Sequence, residues 1–340
     1  METIHTIDSI GSHIDTPYPY ICLQDLHESF RTLVPDMSEE ECAFLESELF
    51  FMQNRFAPEN SNFYSISTSF ISEQLEKLVE QEVSRSDINV GVVHMDKAMG
   101  SKSESPRYFQ LNLSRASDGT LASRIGCEET PEEQMNNLCL WARSGLYDEI
   151  LFVDDVLAFG ETTSTLFDVV RGHIDHTKIR LLVGVASSGG VWRGIQKIEE
   201  ENGIAPEYLV RVEASPEVEG GSKGMAIPTS RDLTLIGGKV GPKILKQNTS
   251  MPYFLPFSEP LSSIIRTDAA KEASLDLLDF NSTIFEKFEN HLGKPLRIGD
   301  LALKGFGIPY TSLPEYRQKL QFPSTDQKIR DYIAQAKDIL

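Results

Sequence analysis

The segment Glu149–Asp168, EILFVDDVLAFGETTSTLFD, constrains the fold more than any other part of the chain. Its four apolar residues at 150–153 predict a buried strand, and the acids Asp154 and Asp155 follow directly. A short turn centred on Gly160 then leads into a hydroxyl-rich start of a helix. Open α/β sheets bind ligands at such a carboxyl edge, where a helix N-terminus can hold a phosphate. At this position the two acids could accept hydrogen bonds from hydroxyl groups such as those of a ribose.

Strand and helix patterns alternate on both sides of this segment. Buried-strand candidates lie at 88–95, 179–186 and 208–212, and a helix that opens at Pro131 precedes the central strand. Strands that alternate with helices of this length predict a mostly parallel sheet with helices on both faces. We therefore expect an α/β domain at 61–245.

The chain outside this domain is predicted to be mostly helical. We expect an N-terminal helical segment at 1–60, with a polar lead-in, a first helix near Leu23–Leu33 and a second helix that begins with the capping box Ser38–Glu41. A C-terminal, mostly helical segment is expected at 246–340, with one helix near Asp268–His291 and a final helix after it. We expect these terminal helices to pack on the core, to form a homo-oligomer or to dock a protein partner.

Charge and cysteine content limit the class of function. The chain has 32 basic and 51 acidic residues, a formal net charge of −19, which argues against a broad nucleic-acid-binding surface. No run of 18 apolar residues and no signal-peptide pattern indicates a membrane or secreted protein. We expect a cytoplasmic protein with reduced thiols, because its widely spaced cysteines form no CxxC pair: Cys22, Cys42, Cys127 and Cys139.

The acid pair and the residues after it resemble the phosphoribosyl-diphosphate (PRPP) motif of type I phosphoribosyltransferases, which has the form DDVxTTGxT. Asp154, Asp155, Val156, Gly160 and Thr162 match that motif. The resemblance implies a phosphoribosyltransferase-like α/β fold that covers roughly residues 60–240.

The same segment departs from the family pattern inside the phosphate loop. Ala158 and Phe159 stand where the family has small or hydroxyl residues, and Ala158 occupies the position of an acid proposed as general base in the purine branch. Glu161 places a carboxylate beside the expected phosphate, which repels it by about 1 kcal/mol even in water. The acid pair and the turn of the motif are therefore kept, and the residues expected to contact the 5′-phosphate are changed.

The resemblance assigns roles to the motif residues. It implies that Asp154 and Asp155 bind the ribose 2′ and 3′ hydroxyls, as the catalytic pair, and that they hold Mg²⁺ through the ligand or through water. The loop that follows would bind the 5′-phosphate, with contributions from Val156, Gly160, Glu161, Thr162 and Thr163.

Two further segments would complete such a site around the pyrophosphate. By order along the chain, the pyrophosphate loop falls at Ser67–Phe70. The polar, locally basic segment between the strand at 88–95 and an alternating strand at Tyr108–Leu113 resembles the flap of the family, which closes over the pyrophosphate. Its cations would be Lys97, Lys102 and Arg107. A solvated hairpin loop is the other interpretation of the segment.

A tripeptide near residue 231 resembles the C-terminal hood of hypoxanthine-type phosphoribosyltransferases, where Arg-Asp-Leu lies beside the purine. Here Arg231 and Asp232 precede Leu233, and Lys239 follows two glycines, where it could reach an anion. The resemblance implies a base pocket or hood at these residues. An Arg–Asp pair that fixes a loop is the other interpretation.

Three functions are consistent with these features. The first is a phosphoribosyltransferase that binds PRPP with Mg²⁺ and joins the phosphoribosyl group to a nitrogenous base, or the reverse. The second is a nucleotide-binding regulator, or an effector of a bacterial stress or antiviral defence system, that uses the same fold without the usual transfer. The third is an α/β scaffold for protein contacts, in which the acid pair is a coincidence.

Overall fold

The computed structural model of the chain describes residues 5–15, 19–24, 34–56, 62–95, 105–115, 121–123, 129–157, 161–171, 178–187, 207–212, 270–297, 300 and 326–339. The strands of this part are β1 (His5–Ile7), β2 (Ser12–Ile14), β3 (Pro19–Gln24), β4 (Asn62–Ser67), β5 (Val90–His94), β6 (Tyr108–Gln110), β7 (Leu113–Arg115), β8 (Leu121–Ser123), β9 (Glu149–Leu157), β10 (Lys178–Ser187) and β11 (Glu207–Val212). Its helices are α1 (Glu39–Phe56), α2 (Thr68–Val83), α3 (Pro131–Ala142), α4 (Glu161–Arg171), α5 (Ala270–Leu292) and α6 (Ile329–Ile339).

A six-stranded sheet with the order β2-β11-β10-β9-β5-β6 forms the centre of the fold, and each pair of neighbouring strands in it is parallel. The expected α/β fold with a mostly parallel sheet is therefore confirmed. Among the described residues no helix is long and apolar enough to cross a membrane.

Helices cover both faces of this sheet, and each face has its own apolar core. One core joins Ile150 and Phe152 of β9 to α3 and α4. The other joins Leu151 and Val153 to α2 and to the first strands of the chain. Because neighbouring residues of β9 face opposite cores, the strand reads as a continuous apolar run, as expected for a parallel strand buried on both sides.

The N-terminal residues form strands where a polar lead-in and a helix near Leu23–Leu33 were expected. β2 pairs with β11 at the edge of the main sheet, and β1 and β3 flank β4 in a second, three-stranded parallel sheet. Leu23 belongs to β3, so the expected helix start is wrong at this residue. The pairing of β3 along the whole of β4 satisfies the backbone groups that face β4, and it outweighs the local helical preference.

The alternating strand expected at Tyr108–Leu113 is divided into β6 and β7. Between them, the buried side chain of Gln134 on α3 accepts a hydrogen bond from Asn112 N at 2.8 Å and donates one to Asn112 O at 3.4 Å. This side chain takes the place of a neighbouring strand. β6 pairs with β5 in parallel, so the connection between them is not the hairpin loop that was the other interpretation.

The N- and C-terminal helices pack together in one helical body. Glu41, near the start of α1, lies 3.2 Å from His291 at the end of α5, while Arg55 at the end of α1 pairs with Asp276 near the start of α5. α1 and α5 are therefore antiparallel. The capping box of α1 is confirmed, because Ser38 and Glu41 each accept a hydrogen bond from the other's backbone N–H at 3.2 Å.

Candidate functional site

The strand order places a topological switch point between β5 and β9. From β5 the chain adds β6 on one side, and the later strands β9, β10 and β11 lie on the other side. Connections that leave the carboxyl ends of β5 and β9 therefore diverge, and open α/β sheets bind ligands in the crevice that this opens. We call the carboxyl ends of β5, β9 and β10 the carboxyl edge.

Asp154 and Asp155 lie at this edge in the centre of the sheet. They are the sixth and seventh residues of β9, and they are half-buried after five fully buried residues. The Asp155 backbone N–H donates to Asp154 Oδ1 at 3.1 Å. The predicted acid pair therefore stands at the carboxyl edge, beside the switch point.

The alternation of side chains along β9 changes phase at the acid pair. Phe152 and Leu157 face the α3–α4 core, whereas Val153 and Val156 face the α2 core, so the strict two-residue period is broken between 153 and 156. Gly184 of β10 lies beside this irregularity. A Cβ on Gly184 would stand 2.6 Å from Asp155 O, so only glycine allows the two backbones to come this close.

The phosphate-loop residues are only partly described. Thr163 is buried in the first turn of α4, so its side chain is not on the open edge where a phosphate contact was expected. Val156 packs against the α2 core, so its side chain contributes to packing below the acid pair. Glu161 and Thr162 begin α4, and their side chains are outside the part of the chain that the structure describes. Gly160 also lies outside it, with the neighbouring Ala158 and Phe159.

Arg107 stands toward the opposite end of the sheet from the acid pair. Its guanidinium donates to Val83 O at 3.1 Å, at the end of α2. Tyr108 pairs with Val92, which pairs with Leu151, so Arg107 is level with residue 150 and about 13 Å short of Asp154 along the strand direction. The structure therefore does not bring Arg107 to the acid pair. The expected role of this residue as a flap cation over the carboxyl edge is wrong.

The other cations and the expected hood lie outside the described residues. These are Lys97 and Lys102 of the expected flap, and Arg231, Asp232 and Lys239 of the expected base pocket.

The first turn of α2 approaches the carboxyl edge from one face of the sheet. Ile71 lies over Gly184 there, while Glu82 near the other end of α2 reaches the amino-terminal part of β10 through Arg180. α2 therefore runs antiparallel to the strands, and Ser67–Phe70 lies at the same end as the acid pair. Ser67 Oγ caps this helix by accepting from Phe70 N at 3.5 Å, and no acid stands in its first turn.

His94, the last residue of β5, is a site residue that the sequence did not reveal. It is 3% exposed, and neither ring nitrogen has a hydrogen-bond partner among the residues that the structure describes. Its ring stacks on Tyr108 with a centroid distance of 5.8 Å. Burial lowers the pKa of His94 to about 4, so the imidazole is neutral at pH 7. In the sequence it stands in a valine-rich strand, where a histidine is typical of core packing.

The amino-terminal edge of the same strands carries an ion cluster instead of a crevice. Arg180 is surrounded by Glu82 at 2.6 Å, Glu149 at 3.3 Å and Glu207, and Lys178 pairs with Glu149 at 2.9 Å. The hydrogen bond from Arg180 lowers the pKa of Glu82, and the same bond raises the pKa of Arg180. This edge is closed by charge pairing, so the crevice at the carboxyl edge is the better candidate for ligand binding.

The acid pair fits Mg²⁺ only as part of a shared site. Among the described residues no group of three or more His, Cys, Asp or Glu side chains could hold a metal ion. Mg²⁺ is commonly held by one or two carboxylates together with substrate phosphates and water. Two half-buried carboxylates at a ligand crevice are consistent with that arrangement and not with an all-protein metal cage.

Comparison with known proteins gives no family. No protein-family model matches the chain, and the search of curated proteins finds no match.

Proposed function

We propose that this chain is a phosphoribosyltransferase-like protein that binds PRPP, or a related nucleotide or phosphosugar, with Mg²⁺ at the carboxyl edge. The observation that carries the proposal is the acid pair Asp154–Asp155 at the end of the buried central strand, beside the topological switch point. The sequence resemblance of 154–162 to the PRPP motif supplies the ligand class.

Different residues at the carboxyl edge would bind different parts of the ligand. Asp154 and Asp155 would accept hydrogen bonds from the ribose 2′ and 3′ hydroxyls, and charge-assisted bonds of this kind fix orientation well. The first turns of α2 and α4 would offer backbone N–H groups to phosphate oxygens. Bound Mg²⁺ would neutralise the charge of the diphosphate beside two carboxylates.

Transfer to or from a nitrogenous base is the activity that this binding mode supports best. Fixing the ribose at its hydroxyls and the phosphates at helix N-termini would leave C1′ exposed to a base, and positioning of this kind supplies much of an enzyme's advantage. Electrostatic stabilisation of the departing pyrophosphate would come from the metal and from the cations of the segment that follows β5.

A second candidate is a nucleotide-binding regulator, or an effector of a stress or defence system, without the transfer reaction. Ala158, Phe159 and Glu161 favour it, because Ala158 and Phe159 stand where the motif has two threonines and Glu161 places a carboxylate where a phosphate is expected. The helical body built from both ends of the chain also favours it, since phosphoribosyl transfer does not require such an addition.

Thermal-shift titrations separate the two candidates. Full-length protein is titrated with PRPP, with and without Mg²⁺, beside a panel of nucleoside mono- and triphosphates. A ligand at 100 times its dissociation constant adds about 2.7 kcal/mol to the stability, which is readily measured. A metal-dependent response to PRPP supports the transferase, and the bases are then screened for turnover. A response to another nucleotide but not to PRPP supports the regulator and contradicts the transferase.

A further inference from the structure

His94 is a buried polar side chain that the proposed function leaves without a role. Its main chain is held in the sheet, since His94 O accepts from Leu111 N at 2.9 Å and from Gln110 Nε2 at 3.3 Å. Its ring nitrogens, in contrast, have no hydrogen-bond partner among the described residues, although the side chain is 3% exposed. A buried donor and acceptor without partners destabilise a fold, so such a group needs an explanation.

The position of His94 indicates what completes its hydrogen bonds. It ends β5 at the switch point and is in register with Val153, the residue before Asp154. Strand spacing and rise place the Cα atoms of His94 and Asp154 about 6 Å apart. The alternation of β5 puts His94 on the same face as Val92, the face that α2 covers. His94 therefore lies next to the acid pair, on the side from which the first turn of α2 approaches.

The chemistry of the ring restricts the ligand group that it can bind. A neutral imidazole offers one donor and one acceptor and no charge, so it suits an uncharged polar group better than a phosphate. In the proposed function the ribose hydroxyls belong to Asp154 and Asp155, and the phosphates belong to the helix N-termini. The remaining part of a nucleotide that carries uncharged N–H and C=O groups is the base.

We propose that the His94 imidazole hydrogen-bonds the nucleobase of the bound ligand and so contributes to base specificity. This inference rests on the proposed function, because it assumes that a nucleotide occupies the carboxyl edge. Tyr108, stacked beside the ring at an interplanar angle of 16°, holds the imidazole in one orientation. Because the ring is fixed and its nitrogens have no partner among the described residues, a base of the wrong hydrogen-bonding pattern would leave these nitrogens unpaired. Such a ring is suited to selection between bases.

Two variants of the full-length protein test the proposal. His94→Phe keeps an aromatic ring beside Tyr108 and removes both nitrogens, whereas His94→Gln keeps one donor and one acceptor. Both are titrated with ribose 5-phosphate and with the nucleoside 5′-monophosphate to which the wild type responds best. We expect His94→Phe to weaken the nucleotide about tenfold or more and to leave ribose 5-phosphate within about twofold, with partial recovery in His94→Gln.

The ligand-free melting temperature gives an independent readout. Removing unpaired nitrogens should leave the Tm of His94→Phe within about 2 °C of the wild type or raise it. A clearly lower Tm would show that the imidazole has a structural partner, and would overturn the inference. Equal losses for the nucleotide and ribose 5-phosphate, or no loss in either variant, would also overturn it while the proposed function stands. A wild type that binds none of these ligands would overturn the proposed function and the inference together.

Discussion

Gly184 determines how closely β10 approaches β9 at the acid pair. A Cβ at this position would lie 2.6 Å from Asp155 O and 2.3 Å from Ile71 Cγ2. The Ile71 side chain can move, but Asp155 O belongs to the backbone of a central strand and cannot retreat without disturbing the sheet. The geometry of the acid pair therefore depends on a residue that makes no contact of its own through a side chain.

We expect Gly184→Ala to lower the free energy of unfolding by about 1–3 kcal/mol and to weaken PRPP binding, because the added methyl group displaces Asp155. Chemical denaturation and calorimetric titration measure the two effects. Gly145→Ala is the matched control: its φ is 69° in open space, so it should cost about 1 kcal/mol through backbone strain and leave binding unchanged. Wild-type stability in Gly184→Ala would contradict the close approach of the strands.

His94 should make the fold sensitive to mild acid. Its pKa is lowered from 6.5 to about 4 by burial, so the unfolded chain takes up this proton first as the pH falls. Above pH 6.5 the His94 imidazole is neutral in both the folded and the unfolded chain and does not affect the free energy of unfolding. As the pH falls from about 6.5 to 4, the unfolded chain binds the proton and the folded chain does not, so the free energy of unfolding decreases by roughly 3 kcal/mol at most. In His94→Phe the stability should fall less over this range in urea denaturation at several pH values. Identical pH profiles for the variant and the wild type would contradict the burial of a neutral ring.

At the scale of elements, periodicity predicted the long segments and missed the short ones. β9, β10, β11, α3 and α5 lie within a few residues of their predicted positions, because each carries an apolar pattern long enough to identify its period. β1, β2 and β3 have three to six residues, and their partners β4 and β11 are distant in the chain. No local pattern records such a pairing, so a strand was taken for a helix at Leu23.

Only those residues of the candidate site that directly follow a predicted strand in the sequence could be predicted. Asp154 and Asp155 were found because they directly follow a buried apolar run. His94, Gly184 and the first turn of α2 come to the same edge through sheet order and helix direction, which the sequence does not reveal. Arg107 was misplaced for the same reason, since its position depends on the register of β6 with β5.

The ion cluster at the amino-terminal edge should stabilise the order of β9, β10 and β11. Arg180→Met would leave Glu149, which is 6% exposed, with Lys178 as its remaining partner in the cluster, and should cost about 3 kcal/mol in chemical denaturation. Arg85→Met is the control, because Arg85 pairs with Glu82 and Asp87 on the surface and should cost less than about 1 kcal/mol. Equal costs for the two variants would show that the cluster is no stronger than a surface pair.

At the scale of the whole molecule, the described helices of the two terminal segments, α1, α5 and α6, form one structural unit. α5 packs against α1 and α6 in antiparallel fashion, with Lys337 at the end of α6 paired to Asp279 in the middle of α5, and Arg330 at the start of α6 3.6 Å from Glu286 farther along α5. The ring of Phe50 on α1 packs edge-to-face against the ring of Phe63 on β4, with 4.6 Å between the ring centroids. This contact joins the helical body to the smaller sheet. The expected separate N- and C-terminal additions therefore meet each other in the fold.

Removal of α5 and α6 should loosen α1 while the main sheet persists. In a chain that ends at residue 250, the face of α1 that packs against α5, between Glu41 and Arg55, would be exposed to water. Hydrogen exchange should then show lost protection in α1 and kept protection in β9 and β10. Unchanged protection of α1 in the shortened chain would contradict the packing of the two ends.

The central claim is that the acid pair binds a phosphoribosyl ligand, and calorimetric titration of PRPP in the presence of Mg²⁺ tests it most directly. Three full-length proteins are compared: the wild type, the double variant Asp154→Asn/Asp155→Asn, and the control Glu76→Gln/Glu80→Gln, which removes two exposed acids from α2. We predict metal-dependent binding by the wild type and the control and none by the double Asn variant. Equal binding by all three proteins, or none by the wild type, would contradict the claim.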